Sequence, residues 1–532
     1  MNYNEKAPID DIDDDNAFID LNDAVEVKVD DENIPMEEDD NEMDDGMNED
    51  VMRPGNGDDD GLMKQLNDVP DMSIETVESH KPSSVYTISS HLSHGHLILV
   101  SGGGDDRAFL HKLQIPFERS TSTTETIPLS HSHTDSISCV GINAKYVSDD
   151  LKKTPKYAAV GSYDGTIIIY NPDTGEKIQA LDGPTDVEFL SFHPKGGSVL
   201  LAGSIADATV WMYHLPTLKC LQVFVGHECF TESGGVTAGC FTPNGKLAVT
   251  VGMDGTMKVW APKTGLCRHT FKLISNEDAG MGGIEDAGMG GLTCMDVDGG
   301  QDGQLAIAGG DNGNAYVVHI QGKKLVATLR HFDALAPGTT SQPPRNGMGL
   351  ENSDDMSEGD PMTLMISVES VKFAPKAINP NWVATGGIDG RVKIWDLSHG
   401  DGGQSRQVCY IRNQMEEEGL TSSTPDSNCA GGVTKLLWHP TLPLVFASYT
   451  DGVVRLWDAR DGNLVHSLTG GAINQEFSQI NDLSVEYVTN EMENSDIAIV
   501  VTAIDDGTSK IYKINIQELM ENAAKTKWKQ HT

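Results

Sequence analysis

The residues with the clearest chemical potential in this 532-residue chain are five acids that recur at one place in a repeated unit. Each stands at or just before the first strand of its unit, and the five are Asp135, Asp186, Glu188, Glu369 and Asp482. Carboxylates form charge-assisted hydrogen bonds with guanidinium and ammonium groups. If the fold gathers them, they make an electronegative surface suited to an extended segment rich in Lys and Arg. The alternative is that they are independent, solvated acids in a chain that is acidic throughout.

The overall charge favours the same kind of partner. The chain carries a formal net charge of −42, and its first 60 residues hold 24 acids against Lys6, Lys28 and Arg53. Direct binding to nucleic acid is disfavoured, because neutralising phosphates requires clusters of Lys and Arg. A basic protein partner is favoured instead. We expect a monomer that makes no direct contact with nucleic acid.

Sequence motifs for catalysis or cofactor binding are absent. There is no G-x-x-x-x-G-K-[ST] or G-x-S-x-G motif, and the Gly-rich stretches 102–104 and 280–291 lie beside acids that would repel a phosphate. We interpret His91, His94 and His96 as polar residues of a surface turn, since a closed zinc site needs four ligands and no cysteine lies nearby. We therefore predict a protein with no catalytic activity, no metal and no cofactor.

The sequence also bears on the compartment. No run of 18 apolar residues occurs, so no membrane span is expected. The N-terminus leads into acids rather than an apolar segment, which argues against a secretory signal. The eight cysteines are scattered without a C-x-x-C pair, which is typical of reduced thiols in a cytosolic or nuclear protein. We expect a cytoplasmic location, with a nuclear one also open.

Short strands around repeated Asp-Gly-type turns would position the acids. In the best-preserved units an aromatic residue follows the turn Asp by six positions, as in Asp164/Tyr170, Asp254/Trp260, Asp389/Trp395 and Asp451/Trp457. Within Thr450–Asn463, the alternation of Val454 and Leu456 with Arg455 and Trp457 has the period of a half-buried strand. An Asp that opens a turn accepts local backbone hydrogen bonds, and the aromatic residue packs. Both are therefore structural residues.

Eight such units occur, and the shortest spacing between turns, 43 residues, matches a four-stranded propeller blade. Units that cannot bury their faces alone close economically into a ring. The pattern resembles WD40 repeats, and we predict an all-β WD40 β-propeller. Eight blades is the favoured count, and seven blades plus a degenerate unit is the alternative. In WD40 proteins a His ahead of the unit joins the turn Asp and the aromatic residue in one network. His133 and His227 match that His, and most other units are expected to lack it.

The chain also resembles a narrower family, that of the angio-associated migratory cell protein. The segments that carry the resemblance are Gly104–Phe109, Leu200–Gly203 through Trp211 and Met212, Ser367–Val371 and Gly452–Arg460. The family includes the yeast WD-repeat protein that chaperones a basic large-subunit ribosomal protein. The resemblance covers about residues 73–513 and implies that Ser73–Val77 is the outer strand of the last blade, which closes the ring. The WD40 pattern further implies that the five acids line the mouth of the central channel, on the face that carries the Asp-Gly turns.

Three regions are expected along the chain: an acidic disordered leader over 1–71, the propeller over 72–516 and a short tail over 517–532. Loop insertions are expected near 275–291, 331–365 and 413–430, and the first contains Glu-Asp-Ala-Gly-Met-Gly-Gly twice. Surface loops tolerate such growth at little cost in free energy. The leader has few aromatic residues and cannot bury enough apolar surface to offset the entropy of ordering.

The resemblance implies a non-catalytic chaperone that holds a basic large-subunit ribosomal protein, through its N-terminal segment, during ribosome biogenesis. Two alternatives from other classes stay open. Trp457–Arg460 fits a W-D-x-R motif by which some WD40 proteins dock to a cullin-ligase adaptor, although a surface ion pair is the simpler explanation. The other alternative is a signalling or cell-migration scaffold, which the name of the family suggests.

Overall fold

The computed structural model describes residues 70–521, with gaps at 94–95, 115–123, 130–132, 144–154, 229–233, 275–289, 300–302, 333–366, 402–403, 412–430, 471–478 and 491–494. The predicted leader, the three loop insertions and the tail lie wholly or largely outside the described residues. Strands dominate what is described, and a short helix at 516–521 follows the last strand. No helix in the described ranges is both long enough and apolar enough to cross a membrane.

The described residues form eight four-stranded antiparallel sheets, and each sheet is one blade. Blade 1 contains β2 (Val85–Ser93), β3 (His96–Gly103), β4 (Ala108–Gln114) and β5 (Thr124–Pro128). Blade 2 contains β6 (Ile137–Ile142), β7 (Ala158–Ser162), β8 (Ile167–Tyr170) and β9 (Lys177–Leu181). Blade 3 contains β10 (Phe189–Phe192), β11 (Val199–Gly203), β12 (Thr209–His214) and β13 (Lys219–Val225). Blade 4 contains β14 (Val236–Phe241), β15 (Ala248–Gly252), β16 (Thr256–Ala261) and β17 (Leu266–Lys272).

The second half of the ring repeats this order. Blade 5 contains β18 (Leu292–Val297), β19 (Leu305–Gly310), β20 (Asn314–His319) and β21 (Lys324–Arg330). Blade 6 contains β22 (Val368–Phe373), β23 (Trp382–Gly387), β24 (Val392–Asp401) and β25 (Gln404–Ile411). Blade 7 contains β26 (Val433–Trp438), β27 (Leu444–Tyr449), β28 (Val454–Asp458) and β29 (Leu464–Leu468). Blade 8 contains β30 (Ile480–Asn490), β31 (Ser495–Ile504), β32 (Ser509–Asn515) and, from the start of the chain, β1 (Glu75–Val77). The count of eight predicted from the repeats is confirmed.

Blade 8 closes the ring by joining the two ends of the propeller. Strand β1 pairs with β32 in the register Glu75↔Ile511, Thr76↔Lys510 and Val77↔Ser509. The chain just before β1 is tied to blade 7, because the Met72 amide donates to the Thr469 carbonyl at 3.0 Å. This outer strand lies where the family resemblance placed it.

The hydrophobic core is distributed among the boundaries between blades, which we call seams. One cluster joins Val249 and Met257 of blade 4 to Ala308 and Val318 of blade 5, and similar clusters fill the other seams. First strands of neighbouring blades contact one another, so they surround the central axis. Each blade therefore buries its two faces only because a neighbour covers them.

The predicted Asp and Trp pairs are structural, and a buried polar chain links them. In blade 4 the Trp260 indole donates to the Thr250 hydroxyl at 2.8 Å, and Thr250 lies 2.8 Å from His227 Nε2. His227 Nδ1 lies 3.0 Å from Asp254 Oδ2. Burial raises the pKa of Asp254, but hydrogen bonds from His227, Thr256 and the Glu228 amide outweigh this effect and lower the pKa to about 2. These hydrogen bonds connect the Asp254 turn of the blade to Trp260 on its third strand.

Two further blades also carry the His. His331 lies 2.8 Å from the Thr385 hydroxyl and 3.3 Å from Asp389 in blade 6. His80 lies 2.8 Å from Asp105 in blade 1. The sequence hid His331 because it lies 58 positions from Asp389, and most of the residues between them belong to an insertion.

Trp395 of blade 6 has a polar role as well as a packing role, within the network that the WD40 pattern implies for a unit that has the His. Its side chain is buried, and its indole donates to the Thr385 hydroxyl at 2.9 Å. Because Thr385 also contacts His331, which in turn contacts Asp389, the polar chain of blade 4 recurs in blade 6. The sequence hid this role of Trp395 for the same reason that it hid His331.

Tyr170 of blade 2 fits the packing assignment. Within the part of the chain that the structure describes, its buried hydroxyl has no hydrogen-bond partner. The turn residue of this blade, Asp164, accepts the Thr134 amide at 2.8 Å and the Thr166 amide at 2.9 Å. Burial raises the pKa of Asp164, but hydrogen bonds from Thr166 and Thr134 outweigh this effect and lower the pKa to about 2. The Asp is therefore the polar anchor of blade 2, and the aromatic residue is an apolar one.

Blade 7, the source of the clearest repeat, holds its turn Asp differently. Arg455 Nη2 donates to Asp451 Oδ2 at 2.6 Å, and the guanidinium lies over the Tyr449 ring at 4.5 Å. The Trp457 indole donates to the Tyr449 hydroxyl at 3.2 Å. An arginine and a tyrosine thus replace the histidine and threonine of blade 4.

Replacing Thr250 with Val should destabilise the propeller by about 1–3 kcal/mol, because the buried Trp260 indole and His227 imidazole lose their common partner while the shape is kept. Urea unfolding of the purified protein measures this change. Thr264→Val, at an exposed turn of the same blade, is the matched control and should change stability by less than about 0.5 kcal/mol. Equal effects of the two substitutions would contradict a structural role for the chain.

Candidate partner-binding site at the channel mouth

The five predicted acids lie on one face of the ring. Because successive strands of a blade run in opposite directions, the Asp-Gly turns and the links that enter each first strand share a face. The five acids all precede or begin first strands. The turns between third and fourth strands, such as the one at Asp173, lie on the opposite face.

A β-bulge marks the start of nearly every first strand. In blade 6, for example, Val368 pairs with Gly387 and Ser370 with Gly386, so Glu369 is the extra residue. Glu188 holds the matching place ahead of β10, where its amide donates to the Gly203 carbonyl at 2.8 Å. We call these eight positions the mouth ring: Tyr86, Ser138, Glu188, Thr237, Thr293, Glu369, Thr434 and Asn481.

Several mouth-ring side chains link one blade to the next. The Thr237 hydroxyl donates to the Leu292 carbonyl at 2.6 Å, and the Thr293 hydroxyl donates to the Val368 carbonyl at 2.7 Å. Asn481 Nδ2 donates to the Val85 carbonyl at 2.8 Å, and Ser138 makes the same kind of bond to Val187. Each acceptor is the residue just before the next bulge. These side chains therefore stabilise the seams on the mouth face.

Glu188 and Glu369 interrupt this pattern. An ionised carboxylate accepts hydrogen bonds and donates none. Across the described residues, the carbonyls that these positions would reach, those of Val236 and Val433, have no side-chain donor. A purely structural position would favour Ser, Thr or Asn, as in blades 2, 4, 5 and 8. The two glutamates are therefore better explained by an interaction outside the fold.

The first acidic part of the mouth, the blade 2–3 site, consists of Tyr163, Asp186 and Glu188. Burial raises the pKa of Glu188 to about 7; the charge of Asp186 adds to this rise, and the hydrogen bond with Tyr163 opposes it. The pKa of Tyr163 is raised, first by burial and then by the charge of Glu188, so its hydroxyl stays protonated and donates. The Tyr163 side chain is nevertheless 43% exposed. The site thus offers a carboxyl beside an accessible aromatic ring.

The second part, the blade 5–6 site, consists of Asp311 and Glu369. Glu369 is exposed. Asp311 accepts the Gly291 amide through Oδ2 at 2.8 Å, while its buried Oδ1 has no hydrogen-bond partner among the residues that the structure describes. Burial raises the pKa of Asp311, and the charge of Glu369 contributes to the rise. Tyr163 and Glu188 hold the same relative positions as Asp311 and Glu369, three blades away around the ring.

The other predicted acids are engaged to different degrees. Asp135 is exposed and accepts the Ser136 amide at 2.7 Å. Asp186 accepts the Ala206 amide at 3.1 Å and the Ser204 hydroxyl. Asp186 belongs to the blade 2–3 site, and Asp135 lies beside that site, because the Tyr163 amide donates to the carbonyl of the next residue, Ser136, at 3.1 Å.

Of the five acids, Asp482 is the one most engaged in contacts within the fold. It lies one residue after the bulge, where it forms an ion pair with Lys435 of blade 7 and accepts the Ile88 amide of blade 1 at 2.9 Å. Its side chain is 13% exposed. Asp482 therefore joins three blades, and its charge is already balanced.

Sequence reasoning missed Tyr163 and Asp311. Each stands immediately before the turn residue of its blade, and this position lies beside the bulge of the next blade. The signal was available in the repeat alignment.

Other candidate sites receive local explanations. Arg460 donates to Asp458 through Nη2 at 2.7 Å and Nε at 3.0 Å, so the W-D-x-R motif contains a two-point ion pair. No group of three His, Cys, Asp or Glu side chains suited to a metal occurs within the described part of the chain. His94 lies outside that part.

The family model for the WD domain, G-beta repeat, matches residues 218–261, 368–396 and 422–458. The chain contains WD40 repeats. The matched segments fall in blades 3–4, 6 and 7 of this WD40 propeller, and the other blades were recognisable only from their turns.

The matches to known proteins cover most of this chain. It is 28% identical over 443 residues to the angio-associated migratory cell proteins of Canis lupus familiaris and Homo sapiens, which covers 83% of this chain and 80% of each relative. Saccharomyces cerevisiae Sqt1 matches with a TM-score of 0.58 and 16% identity, over 84% of this chain and all of that one. Chaetomium thermophilum Sqt1 bound to the N-terminus of the ribosomal protein L10 matches with a TM-score of 0.55 and 20% identity over the same shares. At these identities the structural matches show the fold.

Glu369→Thr should be more stable than Glu369→Val by about 0.5–1.5 kcal/mol, because only the Thr hydroxyl can donate to the Val433 carbonyl. The two variants share β-branching and lack the charge, so their difference isolates the hydrogen bond. Urea unfolding midpoints of the two proteins measure it. Identical midpoints would show that the mouth-ring hydrogen bond does not contribute to stability at this seam.

Proposed function

We propose that this protein is a non-catalytic chaperone that holds a basic segment of a large-subunit ribosomal protein across the channel mouth. The observation that carries the proposal is the presence of Glu188 and Glu369 at mouth-ring positions where blades 2, 4, 5 and 8 carry seam-linking donors. An extended segment rich in Lys and Arg would meet carboxylates at both the blade 2–3 site and the blade 5–6 site. Masking its charge would prevent premature pairing with RNA.

The relatives support the same partner. The Chaetomium thermophilum Sqt1 structure contains the N-terminus of ribosomal protein L10, and we propose that this chain takes the corresponding segment of its own ribosomal protein. Release follows from competition, because ribosomal RNA offers a higher charge density than two carboxylate sites. We also propose that the protein is located in the cytoplasm, where ribosomal proteins are newly made, and that it also enters the nucleus.

The ligase alternative is less favoured by the geometry. The Arg460 guanidinium is bound to Asp458, and the turn that carries it lies on the face opposite the mouth. A signalling scaffold would need several partners of different chemistry, whereas the mouth offers one kind of recognition, that of positive charge.

Reversing both glutamates, as Glu188→Lys with Glu369→Lys, should weaken binding of a synthetic L10 N-terminal peptide by about a hundredfold or more, since loss of each charge pair costs on the order of 1.4 kcal/mol. Isothermal titration calorimetry at low salt measures the dissociation constant. Raising the salt from about 50 mM to about 300 mM should also weaken binding by the unaltered protein.

The control variant has the same change in net charge as the double glutamate variant, but its substitutions lie on the face opposite the mouth. Asp173→Lys with Glu176→Lys alters two exposed acids in the third turn of blade 2 and should leave the dissociation constant within about twofold. If both double variants weakened binding equally, the attraction would come from net charge alone. If neither did, the mouth would not be the binding site.

Peptide affinity should rise with pH from about 6 to about 8, because a bound cation favours the ionised carboxylate of Glu188, whose pKa is about 7 in the free protein. Protons should be released on binding near neutrality, and calorimetry in buffers of different ionisation enthalpy counts them. Glu188→Gln should remove this pH dependence. An unchanged pH profile in that variant would assign the titration to another group.

A further inference from the structure

The outer edge of blades 3–5 has a charge opposite to that of the rest of the protein. The segments 214–226, 261–274 and 319–331 form the third turn and fourth strand of these blades, and they contain no Asp or Glu. Their seven exposed basic residues are Lys219, Lys263, Arg268, Lys272, Lys323, Lys324 and Arg330. We call this surface the basic rim. A stretch this long without acids is unexpected in a chain with 80 acids and 38 basic residues.

The basic rim is also the most exposed apolar surface of the described residues. Val225, Leu266 and Leu325 are 71%, 67% and 47% exposed, and each lies on the outermost strand of its blade. Outermost strands present unpaired backbone groups, to which another strand can be added. Single exposed apolar residues are ordinary, but one on each of three successive edge strands forms a repeated feature.

The other blades do not share this character. Their third turns or fourth strands, or the residue that leads into the third turn, carry acids: Glu125 in blade 1, Asp173 in blade 2, Asp401 in blade 6, Asp461 in blade 7 and Glu75 in blade 8. The basic rim is therefore a local property of blades 3–5 and does not follow from the repeat.

The leader of the same chain has the complementary chemistry. Residues 1–69 hold 25 acids against four basic residues. Within them Val25, Val27 and Val29 alternate with Glu26, Lys28 and Asp30, the period-2 pattern of a strand with one apolar side. The leader joins the propeller at Pro70, beside blade 7.

The leader is long enough to reach the basic rim. An extended chain of this length spans on the order of 200 Å, whereas a domain of about 450 residues has a radius of gyration of roughly 22 Å. Tethering also gives the leader an effective concentration in the millimolar range at the rim, so that weak contacts are enough for occupancy.

We propose that the acidic leader folds back onto the basic rim of its own propeller, with its carboxylates on the basic side chains and the Val25–Val29 segment over the exposed apolar residues. The occupied rim is shielded from nucleic acid. The leader is at the same time held away from the channel mouth, whose acids would repel it. This proposal is independent of the partner bound at the mouth.

Carbodiimide cross-linking of the full chain tests the proposal, because it joins a carboxylate to an amine only when the two are in contact. Mass spectrometry should find links from residues 1–69 to Lys263, Lys323 and Lys324. Links to Lys195 and Lys376, exposed lysines outside the rim, should be at least about fivefold rarer, since contact ion pairs rather than long-range attraction are trapped. Equal frequencies at the two sets of lysines would overturn the proposal.

Two variants separate the causes. Lys263→Glu with Arg268→Glu and Lys324→Glu should reduce links to the remaining rim lysines several-fold. Val25→Ser with Val27→Ser and Val29→Ser leaves the propeller unaltered and should also reduce them. If the first variant does not fold, as its melting curve would show, the second still decides the apolar part of the proposal.

Other occupants of the rim would give different results. Links found only between two chains, in a mixture of isotope-labelled and unlabelled protein, would assign the rim to a second copy. Links from acids at 277–286 would assign it to the neighbouring loop. Nucleic acid that co-purifies with the unaltered protein and is lost with the triple charge reversal would assign it to RNA or DNA. Each of these outcomes would overturn docking of the leader.

Discussion

Pairing of β1 with β32 is the constraint on which the rest of the structure depends. Each blade buries its faces only against its neighbours, so an open ring would leave a core surface of blade 1 and another of blade 8 in water. Three residue pairs between the two ends of the propeller convert eight mutually dependent sheets into a closed ring. The tie between Met72 and Thr469 extends this closure to blade 7. Without closure there is no channel mouth, because the bulges would no longer face one another.

The mouth illustrates how a repeated structural position acquires a function. Ser, Thr and Asn side chains at the bulges stabilise successive seams through hydrogen bonds to carbonyls. Where Glu replaces them, the seam loses a donor and the site gains an accepting charge. Burial makes the ionised carboxylate of Glu188 unfavourable, and the raised pKa of Glu188 reflects this cost in free energy. A bound cation would relieve it, so the sites that weaken the ring are those that a basic partner would stabilise.

Charge is distributed unevenly over a protein that is acidic overall. Glu188 and Glu369 lie at the mouth, Asp482 is balanced by Lys435, and the exposed basic residues of the rim lie on the outer edge of blades 3–5. Two surfaces of opposite sign can serve different ligands without competition between them. Net charge alone would have described neither surface.

Much of the architecture was determined by the sequence alone. The turn Asp and the aromatic residue six positions later recur because a four-stranded blade needs a tight turn and a buried anchor, and this local pattern predicted eight blades. Local patterns also placed Glu188 and Glu369 at the start of first strands. The tertiary structure alone decided which acids are available, since the ion pair of Asp482 with Lys435 joins residues 47 positions apart. It likewise revealed His331 and its link to Trp395 across a long insertion, and Tyr163 beside Glu188. Contacts of this kind depend on how distant segments and neighbouring blades come together, and they leave no periodic trace in the sequence.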